Sequence, residues 1–250
     1  MNDLPAIGVR GSEIVTCPNG MVNDPNAFIN WIDIHCQIYT KFEMITFSVG
    51  CLMWVIAYVI MLRNAKKDQY IEMAAVAAAS NLAWEILWST LYNTDMGWFL
   101  SWTYRAWLLV DIFIFWYLLK YGYKQFSSPL IVKHFKGLAL VAVLFFFGFY
   151  YTLGTSGYET PIGSVSAYIC QFSISIMCLV LIIQTKNIEY FSWNIAWIRT
   201  VGTALVSVFM FLHYPNNYFV HWLCVWSFIC DCTYMGVHRY KLKLSQNIDS

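Results

Sequence analysis

Residues 136–154 read KGLALVAVLFFFGFYYTLG, a run in which Lys136, at its start, is the only charged residue. A helix of about 20 mostly apolar residues is long enough to cross the hydrocarbon core of a bilayer. The run is continuous and lacks the alternation of apolar and polar residues that is typical of a strand in a membrane barrel. It therefore predicts a membrane-crossing helix.

Six further segments have the same character. The seven predicted spans are approximately 42–62, 72–92, 98–119, 136–154, 165–185, 193–213 and 218–238. Only 12% of the 250 residues are charged, against about 25% in soluble domains. A chain of this length cannot form a soluble core that buries so much apolar surface. We predict an all-α, polytopic membrane protein with seven transmembrane helices in a domain at 42–240, an extramembrane segment at 1–41 and a tail at 241–250.

The basic residues between the predicted spans fall unevenly on two sides. One side has two, Arg10 and Lys41, and the other has eleven. The eleven are Arg63, Lys66, Lys67, Lys120, Lys124, Lys133, Lys136, Lys186, Arg239, Lys241 and Lys243. An excess of Lys and Arg marks the cytoplasmic side of a membrane protein. This predicts an N-terminus outside, on the lumenal or periplasmic side, and a cytosolic C-terminus.

Charge and motif content argue against several classes of function. The net charge is +1 and no basic tract occurs, so no nucleic-acid partner is expected. No lysine lies in the interior of a predicted span, which argues against a retinal Schiff base. No Asp-rich pair for Mg²⁺–diphosphate and no spaced histidine pair is present. We expect no metal, no cofactor and no obligate protein partner.

Five ionisable residues lie well inside predicted spans. They are Glu85 in the second, Arg105 and Asp111 in the third, Arg199 in the sixth and Asp231 in the seventh. Such groups are costly in hydrocarbon and mark functional sites by default. A helix rises about 1.5 Å per residue, so counting from the span ends gives the depth of a residue in the membrane. By this count Glu85 lies at the same depth as Arg105, and Arg199 lies at the same depth as both aspartates. The alternative is that these groups are buried ion pairs that only fix helix register.

Three acids against two arginines leave one carboxyl group without a cation. A carboxyl group in a dry pocket that lacks a counter-ion favours its neutral form and can act as a general acid. Arg199 is predicted to bond Asp111, Asp231 or both. If Arg105 instead bonds Glu85, Asp231 becomes the better proton donor. The sequence leaves open whether the carboxyl group of Glu85 or that of Asp231 gives the proton.

Aromatic residues accompany the acids. Trp84 and Trp88 flank Glu85 at helical spacing, Trp107 precedes Asp111 by one turn, and Tyr234 follows Asp231 by nearly one turn. Aromatic faces attract cations through their quadrupole. The alternative is that these rings face lipid or form the aromatic belts at the membrane interfaces. Tryptophans at mid-depth fit a belt poorly, so we favour a pocket.

Three segments together resemble a known family. They are Asn81-Leu82-Ala83-Trp84-Glu85, Arg105-Ala106-Trp107-Leu108-Leu109-Val110-Asp111 and Cys230-Asp231-Cys232-Thr233-Tyr234. The chain resembles the membrane-integrated terpene cyclases of fungal meroterpenoid and indole-diterpene biosynthesis, which also have bacterial relatives. The resemblance implies a small, cofactor-free, seven-helix enzyme. Such enzymes protonate a terminal epoxide or alkene and cyclise a prenyl chain that is attached to an aromatic or heterocyclic head.

The resemblance also implies which residues act. The family's glutamate in helix 2 and aspartate in helix 7 match Glu85 and Asp231, to which we add Asp111 as a third catalytic candidate. The expected substrate-binding residues are Asn81, Trp84, Trp88, Arg105, Trp107, Arg199 and Tyr234. The extension of about 40 residues at the N-terminus departs from the family pattern. The expected partners are a prenylated small molecule and membrane lipid, in the endoplasmic reticulum of a fungus or the plasma membrane of a bacterium.

Two other classes of function compete with a cyclase. Intramembrane acids also serve as proton relays, so a proton-coupled small-molecule transporter is the second hypothesis. Against it, the paired Gly or Pro breaks of discontinuous transporter helices are not visible. A receptor-like or assembly protein is the third.

Overall fold

The structure, a computed structural model, describes residues 39–248 of the chain. Within this range it contains seven α-helices, two short 3-10 helices and no strand. The α-helices are α1 (Lys41–Asp68), α2 (Ala75–Thr90), α3 (Trp98–Tyr121), α4 (Pro129–Thr155), α5 (Ser164–Gln184), α6 (Trp193–His213) and α7 (Tyr218–Ile248). The 3-10 helices are Gly122–Gln125 and Ile188–Tyr190. The fold is all-α, and each helix overlaps one of the seven predicted spans.

The helix ends differ from the predicted span ends where polar residues continue or delay a helix. α1 begins after Thr40, whose hydroxyl accepts the Glu43 backbone N–H, while the Glu43 carboxylate accepts the Thr40 N–H. This reciprocal cap fixes the start of the helix. α1 then runs to Asp68 and α7 to Ile248, since a helix can continue into water where hydropathy falls. The predicted extramembrane segment 1–41 lies almost wholly outside the described residues.

Five of the described helices are long and apolar enough to cross a membrane: α1, α3 together with the 3-10 turn that follows it, α4, α5 and α6. α2 has only 16 residues. α7 is long but carries polar groups such as His221 and Asp231 in its apolar part, which lowers its hydropathy. Length and composition therefore support five spans, and the protein is a multi-helix membrane protein.

α2 is the central helix of the bundle. It packs against α3, α4 and α5, and 13 of its residues are buried. α1 packs along α6 and contacts α3, while α7 packs against α5 and α6. α4 lies outside this arrangement, mainly against α2. The result is a space between α1, α2, α3, α5 and α6, with α4 and α7 behind its walls.

The outer surface of the bundle is apolar. α4 is the clearest case, because only four of its 27 residues are buried. Leu138, Val141, Leu144 and Phe145 are each about half to two thirds exposed. An apolar surface of this extent is unsuited to water. It is the surface expected of a helix that faces lipid acyl chains.

Two glycines let α1 and α6 approach closely. A Cβ atom at Gly50 would lie 2.8 Å from the Gly202 carbonyl oxygen, and one at Gly202 would lie 3.1 Å from the Gly50 carbonyl oxygen. Small residues at such crossings allow backbone-to-backbone packing, which stabilises helix pairs in membranes. The pair holds α1, and the cavity residues that it carries, against α6.

Candidate active site

A cavity lies between α1, α2, α3, α5 and α6. The empty space between its walls is about 740 Å³, counting the part open to the outside. Seven aromatic side chains line it: Phe47, Trp54, Tyr58, Trp84, Tyr104, Trp107 and Tyr168. Aromatic rings therefore form much of the cavity wall.

Glu85 is the carboxyl group on the wall of this cavity. Its side chain is 3% exposed, and its Oε2 atom has no hydrogen-bond partner among the described residues. Asn81 lies four residues earlier, so the two side chains share one face of α2. That face points into the cavity, since both residues line it. The segment from Asn81 to Glu85, which suggested the site, thus places its amide and its carboxyl group side by side.

Asn81 connects the cavity to Asp111. Its Nδ2 atom donates to the Tyr58 hydroxyl at 3.0 Å and to the Asp111 carboxylate. Its Oδ1 atom accepts a weak hydrogen bond from the Cys170 thiol at 3.5 Å. Asp111 is 3% exposed, and its Oδ1 atom has no partner in the described chain. Two buried acids therefore lie on either side of one amide, and neither forms an ion pair within residues 39–248.

Trp84 is fixed in the cavity wall by the start of α5. Its indole N–H donates to the Ser166 hydroxyl at 2.8 Å. The Glu159 carboxylate in turn accepts the backbone N–H groups of Thr160, Val165 and Ser166 at 2.7–2.9 Å. Burial raises the pKa of Glu159, and these N–H groups counteract part of that shift. The sequence analysis did not select Glu159, because a loop acid shows no helical periodicity.

Trp88 lies behind Trp84 and is absent from the cavity wall. The two indoles stack with ring centroids 6.0 Å apart, and Trp88 is 2% exposed. A Cβ atom at Gly163 would lie 2.4 Å from the Trp88 ring, and Gly163 has a φ of +76°. Only glycine meets both requirements at that turn. Trp88 therefore packs behind Trp84 and holds it in the cavity wall.

Arg199 and Asp231 form a separate buried ion pair. Arg199 Nη2 lies 3.0 Å from Asp231 Oδ1, and the two residues are 3% and 0% exposed. The Tyr234 ring lies 4.8 Å from the guanidinium carbon. The predicted bond between Arg199 and one of the aspartates is thus confirmed, with Asp231 as the partner. None of these three residues lines the cavity.

Arg105 is a further predicted site residue that lies away from the cavity. Its side chain is exposed, its guanidinium lies 4.8 Å from the Trp102 ring, and its Nε donates to the Ser89 carbonyl at 3.5 Å. It does not pair with Glu85. Residues at equal depth need not share a helix face, and Arg105 lies on the outer side of α3. Glu85 consequently has no arginine beside it.

Trp54, Tyr58, Tyr104 and Tyr168 are cavity residues that the sequence analysis missed. They occur among 12 tryptophans and 17 tyrosines in an apolar chain. In a membrane protein both lipid and interior favour apolar side chains, so periodicity does not show which ring faces inward. Only a polar neighbour on the same helix face, as Asn81 is to Glu85, gives such a signal.

The described residues suit acid–cation chemistry better than metal chemistry. Residues 39–248 contain no group of three or more His, Cys, Asp or Glu that could hold a metal ion. An acid without a counter-ion can donate a proton, and aromatic faces can stabilise a cation. A membrane-embedded helical bundle with such an acid and such rings defines a class of enzyme that forms carbocations and directs their reactions.

Sequence comparison identifies the family within that class. The profile of the Pyr4-like transmembrane terpene cyclases matches residues 35–241. The chain belongs to this family, and it is a terpene cyclase. The alternative of a proton-coupled transporter is not supported.

Three fungal terpene cyclases are similar to the chain. Terpene cyclase macJ of Penicillium terrestre is 24% identical over 219 residues, which cover 81% of this chain and 83% of the relative. The Pyr4-family terpene cyclase mfmH of Annulohypoxylon moriforme is 26% identical over 200 residues, covering 75% and 81%. Terpene cyclase cle7 of Aspergillus versicolor is 26% identical over 214 residues, covering 80% and 87%. No solved structure matches the chain.

Proposed function

We propose that this cyclase acts on a prenyl chain attached to an aromatic or heterocyclic head, and that the Glu85 carboxyl group starts the reaction by protonating a terminal epoxide or alkene. One observation carries the proposal: Glu85 is a buried acid with an unpartnered oxygen on the wall of an aromatic cavity. The reaction needs a proton donor, a water-poor space and faces that stabilise positive charge.

The surroundings favour Glu85 over Asp231 as the donor. Asp231 is bonded to Arg199, which keeps a permanent positive charge, so the ionised form of Asp231 is stabilised. Glu85 and Asp111 share a region that contains no arginine or lysine bonded to either acid in the described chain. Two neighbouring carboxyl groups in low dielectric disfavour double ionisation, so one of them keeps a proton.

The proposed reaction returns the proton that it uses. Glu85 gives a proton to the epoxide oxygen, and the adjacent C–O bond breaks to leave a tertiary cation. With an alkene, the proton instead adds to the less substituted carbon of the terminal double bond, which also leaves a tertiary cation. Neighbouring double bonds then attack in sequence, each forming a C–C bond. Loss of a proton from carbon to a carboxylate forms the last double bond and leaves a product isomeric with the substrate.

The cavity residues have distinct parts in this scheme. The rings of Trp54, Tyr58 and Trp84 face the space through which the positive charge moves. Trp107 lines the same space, and its indole N–H has no acceptor in the described residues. A buried donor without a partner is suited to bond a polar atom of the substrate. Asn81 holds Asp111 near Glu85 for the final proton.

Replacing each acid by its amide tests the scheme. Glu85→Gln, and separately Asp231→Asn, are expected to lower turnover by about 10²–10⁴-fold, the usual effect of losing a general acid or its support. Turnover is measured in membranes with a farnesylated phenol and its terminal epoxide as probes. Glu189→Gln, at an exposed position, is the matched control. Near-normal turnover of both amide variants would show that the acids are wrongly assigned.

We further propose that all seven helices cross the membrane, with the N-terminus lumenal and the C-terminus cytosolic, in the endoplasmic reticulum. The distribution of eleven basic residues against two supports the orientation. The fungal sources of the relatives support the compartment. In this arrangement the α2 and α7 helices are spans whose polar residues face the interior of the bundle.

Cysteine labelling at the two ends of α4 tests the orientation. Lys124 and Tyr158 are both exposed and lie in the connections before and after α4. Lys124→Cys is expected to react with an impermeant maleimide in sealed microsomes, whose outer face is cytosolic, and Tyr158→Cys only after the microsomes are permeabilised. The unmodified chain gives the background from its native cysteines. Labelling of both positions from the same side would refute the topology.

A further inference from the structure

A second buried polar region lies between α5, α6 and α7, next to the cavity but not part of its wall. It contains the Arg199–Asp231 ion pair and Ser227, which precedes Asp231 by one helical turn. Ser227 and Asp231 are both 0% exposed and share one face of α7. The region is therefore enclosed by protein on all sides.

Three polar atoms in this region have no hydrogen-bond partner within residues 39–248. They are Arg199 Nε, Asp231 Oδ2 and Ser227 Oγ. A buried polar atom without a partner is unfavourable, and proteins reduce this cost by binding ordered water at such places. Three such atoms around one ion pair are a suitable set of partners for water.

Gln171 separates this region from the cavity. It lines the cavity, and its Nε2 atom donates to Ser175 and to Thr203, each at 3.1 Å. Ser175 is itself 0% exposed and lies beside the Asp231 carboxylate. The amide of Gln171 is thus held at two points between the aromatic space and the ion pair.

We propose that Arg199, Asp231 and Ser227 hold ordered water, and that Gln171 keeps this water out of the cavity. The role of Gln171 rests on the proposed function. A cation in the cavity can lose a proton, which breaks a C–H bond and forms a double bond. It can also bond the oxygen of water, which then gives one proton to a carboxylate and leaves an alcohol. Gln171 is therefore the residue that sets the ratio of alkene to alcohol.

X-ray radiolytic footprinting tests the water site without any substrate. Hydroxyl radicals made from bound water oxidise the side chains beside it. Tyr234, which packs on Arg199, and Tyr150, whose hydroxyl bonds Ser80 at 2.6 Å, are both 2% exposed. Tyr234 is expected to be oxidised several-fold faster than Tyr150. Equal rates would overturn the hydrated site.

The products of Gln171 variants in H₂¹⁸O test the separation. Gln171→Ala opens the wall, so the share of product carrying a new ¹⁸O-hydroxyl is expected to rise several-fold. Gln171→Leu keeps the side-chain size and is expected to stay near the parent ratio. The probes are a farnesylated phenol and its epoxide, and a ratio is independent of lost rate. An unchanged ratio in the alanine variant would overturn the role of Gln171.

The two failures remain distinguishable. If the parent chain cyclises neither probe, the proposed substrate class fails, whereas the oxidation rate of Tyr234 still decides whether the site holds water. If the parent chain cyclises a probe and Tyr234 is as inert as Tyr150, the proposed function stands and the water site is refuted.

Discussion

Glu72 shows how a single side chain outside the helices can set the response of the molecule to pH. It lies in the connection between α1 and α2 and is 4% exposed. Its Oε2 atom accepts the Ser192 backbone N–H at 2.8 Å, which ties this connection to the start of α6. Burial raises the pKa of Glu72 to about 8, although the Ser192 N–H and the Arg199 charge act in the opposite direction.

This shift predicts that stability falls as the pH rises. Between the ordinary pKa of 4.5 and about 8 the folded chain keeps a proton that the unfolded chain releases. Unfolding therefore becomes more favourable with rising pH in that window. Glu72→Gln removes this proton release, so its melting temperature in detergent is expected to fall less between pH 5 and pH 8. The exposed Glu189→Gln is the control, and an unchanged slope in Glu72→Gln would contradict the prediction.

At the scale of elements, the crossing of α1 and α6 depends on contact between two backbones. A Cβ atom at Gly50 would meet the Gly202 carbonyl at 2.8 Å and Val206 Cγ2 at 2.7 Å. A carbonyl oxygen in a helix cannot turn away, so the helices have to separate. Because α1 and α6 each line the cavity, their separation also changes the shape of the site.

Alanine substitutions at two helical glycines test this dependence. Gly50→Ala is expected to destabilise the protein by about 1–3 kcal/mol, as overpacking in a tight interface does. Gly137→Ala, in α4, is the control, because a Cβ atom there meets nothing within 4 Å. It is expected to be neutral or to stabilise by up to about 1 kcal/mol through helix propensity. Thermal unfolding in detergent measures both, and equal melting temperatures of the two variants would refute the close crossing.

At the scale of the whole molecule, the bundle is expected to work without a divalent metal. No group of metal ligands occurs in the part of the chain that the structure describes, and the proposed reaction releases no diphosphate. Turnover is therefore expected to be the same with EDTA as with added Mg²⁺. Activity that is lost in EDTA and restored by Mg²⁺ would indicate ionisation of a diphosphate in place of protonation.

The sequence is informative about the helices and about charged residues, but not about which aromatic rings form the cavity. Apolar runs locate α3 and α6 nearly to the residue, since a membrane helix needs a fixed apolar length. The pairing of Arg199 with an aspartate follows from depth, because a buried arginine has to find an anion, but depth does not select Asp231 over Asp111. Arg105 lies at the outer surface and therefore needs no buried anion. Its depth in the membrane does not show this.

The polar contacts between helices lie beyond what residue spacing shows. Gln171 and Glu159 act through partners on other helices or on the backbone, so no local pattern marks them. Asn81 was predicted because it belongs to a segment that resembles the family, but its bonds to Tyr58 and Asp111 join three helices. Such contacts depend on how the helices rotate against one another, which packing decides.

The central place of α2 has a consequence for biosynthesis. The ribosome makes α2 before α3, α4 and α5, the three helices that enclose it. In the proposed seven-span arrangement, α2 enters the bilayer before Glu85 has any of these neighbours, and a charged residue at mid-membrane costs about 2.5–3.5 kcal/mol at insertion. The nascent segment therefore has to wait at the translocon, or enter with its acid protonated, until the later helices arrive. In that arrangement, the residue proposed to start the chemistry also makes the insertion of α2 depend on helices that are synthesised after it.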